Sequence, residues 1–206
     1  MNPALRSVLW TVSVAFGLWF LTFAVPSGNY WLKLCLSASV LAVLGLKLSG
    51  KERTCLFPSK RRHLWVGFFS ALLLYGVFWA GRQLSFWMFP FASREVSNIY
   101  ANKAQLDPLA IGLLLFFVMG PAEEVYWHGY VQRTLSRHVG PTRGLLFTSA
   151  IYVLVHISAW NGMLLLAAAL CGLFWGWLYQ REQSLTPVMI SHSVWDVLIF
   201  VLFPMS

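Results

Sequence analysis

The chain has 206 residues, of which 58% are hydrophobic and only 11% charged, against roughly 25% charged in an ordinary soluble domain. That composition excludes a soluble globular protein and leaves room for one membrane domain with short loops. The formal charge of +8 does not imply a nucleic-acid partner, because the basic residues gather on one side of the topology they define, as orienting charges do in membrane proteins.

The apolar residues form blocks close to the roughly 20 needed to cross the hydrocarbon core as a helix. Seven spans follow, near 8–25, 31–48, 64–81, 108–129, 144–160, 162–179 and 186–203. The expected fold class is all-α, a polytopic transmembrane helical bundle. The first block, Val8 to Val25, follows Arg6. It is longer than a signal-peptide core and precedes no small-x-small cleavage pattern, so it reads as a span. Between the third and fourth spans, Leu84 to Phe91 is aromatic but too short to cross, and either extends the third helix or lies in the interface. Ala92 to Gln105 is polar and reads as a loop. After the fourth span, Tyr130 to Val139 mixes Arg133, Arg137 and His138 with Val131 and Leu135, an amphipathic stretch suited to the headgroup layer. Residues 1–105 thus supply N-terminal helices and a polar loop, and 106–206 the chemical core, in one integrated membrane domain.

With a cytoplasmic N-terminus, the inside segments hold Arg6, Lys47, Lys51, Arg53, Lys60, Arg61, Arg62, Arg133, Arg137, Arg143 and Arg181. Only Lys33, Arg82, Arg94 and Lys103 fall outside, which puts the C-terminus outside too. Cys35, Cys55 and Cys171 are odd in number and lack metal-site spacing, so neither a disulfide framework nor a zinc ribbon follows. The eleven Trp residues read as interfacial and lipid-contacting side chains without chemistry.

An Asp at the centre of a span costs about 2.5–3.5 kcal/mol on insertion scales, so ionisable residues there need a reason. Of seven acidic residues, Glu123, Glu124 and Asp196 lie in apolar segments, as do His156 and His192, with His128 one turn beyond the glutamates. Pro121 cannot donate to the carbonyl of Phe117, so the helix loosens one turn ahead of the acids. Glu124 and His128 are i,i+4 neighbours able to pair, while Glu123 points about 100° away toward the side of Trp127. One carboxylate is then held locally and the other left for general acid-base work. Tyr152 and His156 share one face of the fifth span, and His192 and Asp196 one face of the seventh. A single membrane histidine taken alone reads equally well as a hydrogen-bonded packing residue.

In order, Glu-Glu-x-x-x-His-Gly at 123–129, Tyr-x-x-x-His at 152–156 and His-x-x-x-Asp at 192–196 resemble the CPBP (Abi) family, which includes the type II CAAX prenyl endopeptidases. The segment 172–196, with Ser184-Leu185-Thr186-Pro187 before the last motif, looks like the closing helices of that family. The likeness covers about 107–203. It implies that Glu123 and His156 polarise a water for attack on a peptide carbonyl, that His192 and Asp196 stabilise the oxyanion, and that Glu124, with His128 and Tyr152, supports the site. Two positions depart from the family pattern. His128 stands for the usual Arg, giving a pair able to lose its charge near neutral pH, and Tyr152 stands for Phe.

On depth, Glu123 and His192 each lie about 9 Å from the inner ends of their helices, but His156 about 18 Å from Gly144. A compact site therefore requires the fifth helix to be tilted, shifted or broken.

The resemblance implies an intramembrane endopeptidase cutting near a substrate C-terminus, with no cofactor. Its partners are membrane lipid and a protein or peptide that is lipid-modified or membrane-anchored, with no nucleic acid. The short loops suggest a bacterial inner membrane. Three other readings use the same residues. One is a zinc protease with His156, His192 and a Glu as ligands, which lacks a His-Glu-x-x-His motif. The others are a proton-coupled transporter and a non-catalytic bacteriocin immunity or binding factor.

Overall fold

The computed structural model describes residues 2–205 apart from the side chains at 51 and 52, so the expected inside charge of Lys51 lies outside the described residues. No strand occurs among the described residues. The helices are α1 (Pro3–Phe23), α2 (Tyr30–Leu48), α3 (Arg61–Met88), α4 (Ala92–Ala101), α5 (Pro108–Val139), α6 (Pro141–Ala159), α7 (Gly162–Glu182) and α8 (Leu185–Leu202). All but α4 are long and apolar enough to cross a membrane, seven in total. Leu36, Trp87, Leu109, Phe117 and Trp160 are among many large apolar side chains on the outer surface, a distribution that suits lipid rather than water.

The helix starts are written locally. Asn29, Asp107, Asn161 and Ser184 each accept a backbone N–H from the first turn of α2, α5, α7 and α8, satisfying donors that no helical carbonyl reaches. Pro108 and Pro141 occupy the first turns of α5 and α6, where a missing N–H costs nothing. Arg62 pairs with Glu182 at 2.5 Å, tying the start of α3 to the end of α7.

The axis of the structure is α5. At 32 residues it is about 48 Å long, well beyond a hydrocarbon core of about 30 Å. It is not uniform, for π-helical segments at Leu115–Met119 and Trp127–Gln132 bracket the Glu-Glu pair. The first is the loosening that Pro121 demands. Gly120 N–H reaches back five residues to Leu115, so the next carbonyl, that of Phe116, faces proline and has no donor from its own helix. Ser193 of α8 supplies one, donating Oγ–H to Phe116 O at 2.8 Å. The sequence pointed to Phe117 as the stranded carbonyl, and the π register moves the loss one residue earlier.

Two expectations are corrected. Ala92 to Gln105 is not a loop but α4 followed by a 3-10 turn, Asn102–Gln105. Its order comes from tertiary caps: Glu95 Oε2 accepts Met163 N–H at 2.9 Å, and Asn161 donates its side-chain amide to Glu95 O at 2.8 Å. These contacts dock α4 on the start of α7. Tyr130 to Val139, expected as an amphipathic stretch in the headgroup layer, instead starts inside the bundle. It continues α5, with Tyr130, Val131 and Gln132 buried in the bundle and only the last turn bearing Arg137 and His138 on the surface. Leu84 to Met88 extends α3.

Close approach of α5 to α8 rests on Gly120, where an added Cβ would lie 2.7 Å from Ser193 Oγ and 3.0 Å from Ser193 N. Gly120→Ala is therefore expected to force the two helices apart and destabilise the protein by about 1–3 kcal/mol, read as a lowered Tm in detergent. An unchanged Tm would mean that this contact is not needed.

Candidate active site

All eight helices contribute residues to the wall of a cavity of about 250 Å³. Its wall is mostly apolar, from Trp31, Phe78, Leu115 and Trp195 among others, and its polar end carries Glu123, Tyr152, His156, His192 and Asp196. Segments distant in sequence thus bring the expected residues to one place. Glu123, Glu124, His128, His156, His192 and Asp196 are all buried.

The two adjacent carboxylates are treated differently. Glu124 holds two imidazoles: Nδ1 of His128 lies 2.5 Å from Oε2, and Nδ1 of His192 lies 2.6 Å from Oε1. An ionised carboxylate only accepts, so both Nδ1 atoms carry the proton and donate. The first pair is the i,i+4 contact expected within α5. The second crosses from α8 and binds the motifs together. Glu123 faces the cavity instead. Its Oε2 accepts the Tyr152 hydroxyl at 2.9 Å, and its Oε1 has no hydrogen-bond partner. Tyr152, a phenol where the family pattern has phenylalanine, fixes the carboxylate that its neighbour leaves free.

With Nδ1 committed to Glu124, His192 turns Nε2 to the cavity side, 3.6 Å from Asp196 Oδ2 and 3.9 Å from Glu123 Oε2. Asp196 Oδ2 has no hydrogen-bond partner either. Trp175 of α7 stacks on the His192 ring with centroids 3.7 Å apart and planes 20° off parallel, and its own N–H goes to Ser191 Oγ at 3.2 Å. The imidazole is thereby clamped by a hydrogen bond at one edge and an aromatic face.

His156 reaches the cavity because α6 breaks there. The α-helical part ends at Val155, and His156 opens a 3-10 turn that finishes at Trp160 in the left-handed region, φ 50°. Of the three ways to a compact site, the chain uses the break. Both ring nitrogens of His156 are engaged: Nδ1 lies 2.7 Å from the Tyr152 carbonyl, and Nε2 accepts the indole N–H of Trp19 at 3.1 Å.

Sequence reasoning missed Trp19, Trp175 and Ser193. A weak signal existed for Trp19. It shares with Thr11, Ala15 and Thr22 the buried stripe of α1, and small or polar residues mark the packed face of a membrane helix. At the cavity rim, Arg82 donates Nε–H to Met205 O at 2.6 Å and Met205 N–H donates to Tyr100 OH at 3.1 Å, which seats the end of the described chain against α3 and α4.

Fold and site together define a polytopic membrane protein with a buried glutamate–histidine centre at the end of an apolar cavity. Residues 105–198 match the family described as type II CAAX prenyl endopeptidase Rce1-like, a match that supports the CPBP/CAAX protease family for this segment. The matched stretch contains every motif residue named above, whereas α1 to α3 lie outside it. Neither a curated protein nor a solved structure matches the chain.

The unequal treatment of the two glutamates has a measurable consequence. Removing one partner of a buried pair typically costs about 3–5 kcal/mol, because the other is left uncompensated. Glu124→Ala strands two imidazoles and is expected to cost that much, while Glu123→Ala strands one hydroxyl, at about 1–3 kcal/mol. Thermal unfolding of the two variants in the same detergent checks the order, and a larger loss for Glu123→Ala would contradict it.

Proposed function

We propose that the protein is a glutamate-type intramembrane endopeptidase that cuts a peptide bond near the C-terminus of a membrane-anchored or lipid-modified protein. The observation that carries this reading is the Glu123 carboxylate, with one oxygen fixed by Tyr152 and the other unpartnered, on a cavity shared with His192 and Asp196. A carboxylate so placed is suited to accept a proton from a water attacking a carbonyl.

The residues divide the work as follows. Glu123 Oε1 takes the proton of the water, while Tyr152 keeps the carboxylate pointed at the cavity. His192, its Nδ1–H anchored on Glu124, offers Nε2 to the oxygen of the tetrahedral intermediate, a task in which one well-aimed donor is worth about 2.7–4 kcal/mol. That donation requires a proton on Nε2, and Asp196, 3.6 Å away, stabilises the resulting imidazolium. Asp196 acts through His192, since a bare carboxylate would repel the developing charge. The proton held by Glu123 then passes to the leaving amine. His156 has no ring nitrogen left for water, so its part is structural support of Tyr152.

Against the zinc alternative, His156, one of its expected ligands, has both ring nitrogens engaged by Tyr152 and Trp19, and among the described residues no three of His, Cys, Asp and Glu are grouped to hold an ion. The apolar cavity suits a substrate segment presented from lipid, and the bias of basic residues suits a bacterial inner membrane with the N-terminus in the cytoplasm.

Reconstituted in liposomes with a C-terminally anchored peptide, Glu123→Gln is expected to lose about 10²–10⁴-fold in kcat and His192→Ala about 10²–10³-fold. Chelator is expected to leave the wild-type rate unchanged. Mass spectrometry of cells carrying Glu123→Gln then reveals uncut C-terminal tails. Full activity in both variants would sink the glutamate mechanism, and loss of rate on chelation would favour a metal.

A further inference from the structure

The matched segment begins at residue 105, yet one group bonded to the cluster comes from α1. Trp19 is 0% exposed, and its indole Nε1–H meets His156 Nε2 at 3.1 Å across 137 positions of sequence. Indole nitrogen only donates, so Nε2 is the unprotonated, accepting nitrogen of the ring. On the other side, Nδ1 faces the Tyr152 carbonyl oxygen at 2.7 Å, which only accepts, so the ring proton sits on Nδ1. Two one-way partners thus leave a single tautomer, neutral and Nδ1–H.

Packing fixes the ring as firmly as the hydrogen bonds do. Trp19 lies edge-on to His156, with centroids 5.9 Å apart and planes at 84°, and edge-on to Trp127 at 6.4 Å. Phe23 closes another side at 5.5 Å, and the Tyr152 ring stands 4.7 Å from the imidazole at 70°. His156 begins the 3-10 turn at the break of α6, so the helix alone does not hold it in place. Tyr152 in turn carries the effect to the reacting group, since its carbonyl receives the imidazole and its hydroxyl donates to Glu123 at 2.9 Å. A chain of contacts thus runs from Trp19 through His156 to the backbone of Tyr152, whose side chain reaches the Glu123 carboxylate.

We propose that Trp19 is a positioning residue of the active site: its N–H sets the tautomer and orientation of His156 and, through Tyr152, the aim of Glu123. The catalytic unit then includes the first membrane span, outside the matched segment. The kinetic part of this proposal rests on the protease reading, whereas the tautomer part stands without it.

The decisive variant replaces Trp19 in the full chain with 3-benzothienylalanine, which keeps the bicyclic shape and exchanges N–H for sulfur. Two measurements are made in liposomes: histidine ¹⁵N solid-state NMR, with His156 assigned by difference against His156→Gln, and steady-state cleavage of an anchored peptide. The expected result is loss of the pure Nδ1–H signature at His156 and a fall in kcat of about tenfold, the weight of one hydrogen bond, with KM unchanged. An unaltered ¹⁵N spectrum overturns the proposal whether or not kcat falls, since a fall without it reflects packing alone. A changed tautomer with full kcat overturns it as well. Should the isostere fail to fold, Trp19→Phe, which also removes the donor, is read by the same two measurements. If Glu123→Gln cleaves like wild type, the protease reading fails, and the ¹⁵N comparison alone then decides whether Trp19 sets the His156 tautomer.

Discussion

One buried carboxylate, Glu124, holds the centre of this protein together. It accepts from His128 within α5 and from His192 on α8, so a single ionisable group joins the two helices that carry most of the chemistry. Burial of a charge is costly unless it is paired and hydrogen-bonded, and two N–H donors at 2.5 and 2.6 Å meet that cost. The same bonds settle the donor pattern of both rings, which directs the remaining nitrogen of His192 toward the cavity. Without Glu124, neither His128 nor His192 keeps the hydrogen bond that orients its ring.

The division of labour between adjacent glutamates follows from helix geometry. Neighbouring positions on a helix diverge by about 100°, so Glu124 facing α8 leaves Glu123 toward α6 and the cavity. The π segments on either side adjust the phase so that residues before, within and after the pair all find partners: Phe116 on Ser193, Glu123 on Tyr152, and Gln132 on the carbonyl of Gly176 at 2.9 Å. Such segments recur at functional sites, and here Pro121 makes the first unavoidable.

Much of this was legible beforehand, and for identifiable reasons. The spans follow from hydropathy, because the bilayer allows only closed backbone hydrogen bonding, and the i,i+4 pairing of Glu124 with His128 follows from helical spacing. What escaped depends on partners far away in sequence. Ala92–Ala101 looks like a polar loop because its order comes from the Glu95 and Asn161 contacts at the start of α7, which no local pattern announces. The second π segment, Trp127–Gln132, has no proline to betray it. Trp19 was hidden among ten other tryptophans, since a membrane Trp is ordinarily an interfacial anchor and only the fold reveals a histidine beside its N–H.

His128 in place of the family arginine takes on a definite meaning in this setting. An arginine brings a fixed charge and several donors to one carboxylate, and a histidine brings one N–H on this side. The shortfall is met by His192, which takes the second oxygen of Glu124. Space also favours the smaller ring, since a Cβ added at Gly176 of α7 would stand only 3.4 Å from His128 Nε2, and a longer side chain has to find another path between α5 and α7. With histidine at 128, the anchoring of Glu124 is divided between a hydrogen bond within its own helix and one from α8. One hydrogen bond thus serves both the positioning of His192, alongside the Trp175 stack, and the anchoring of Glu124, alongside His128.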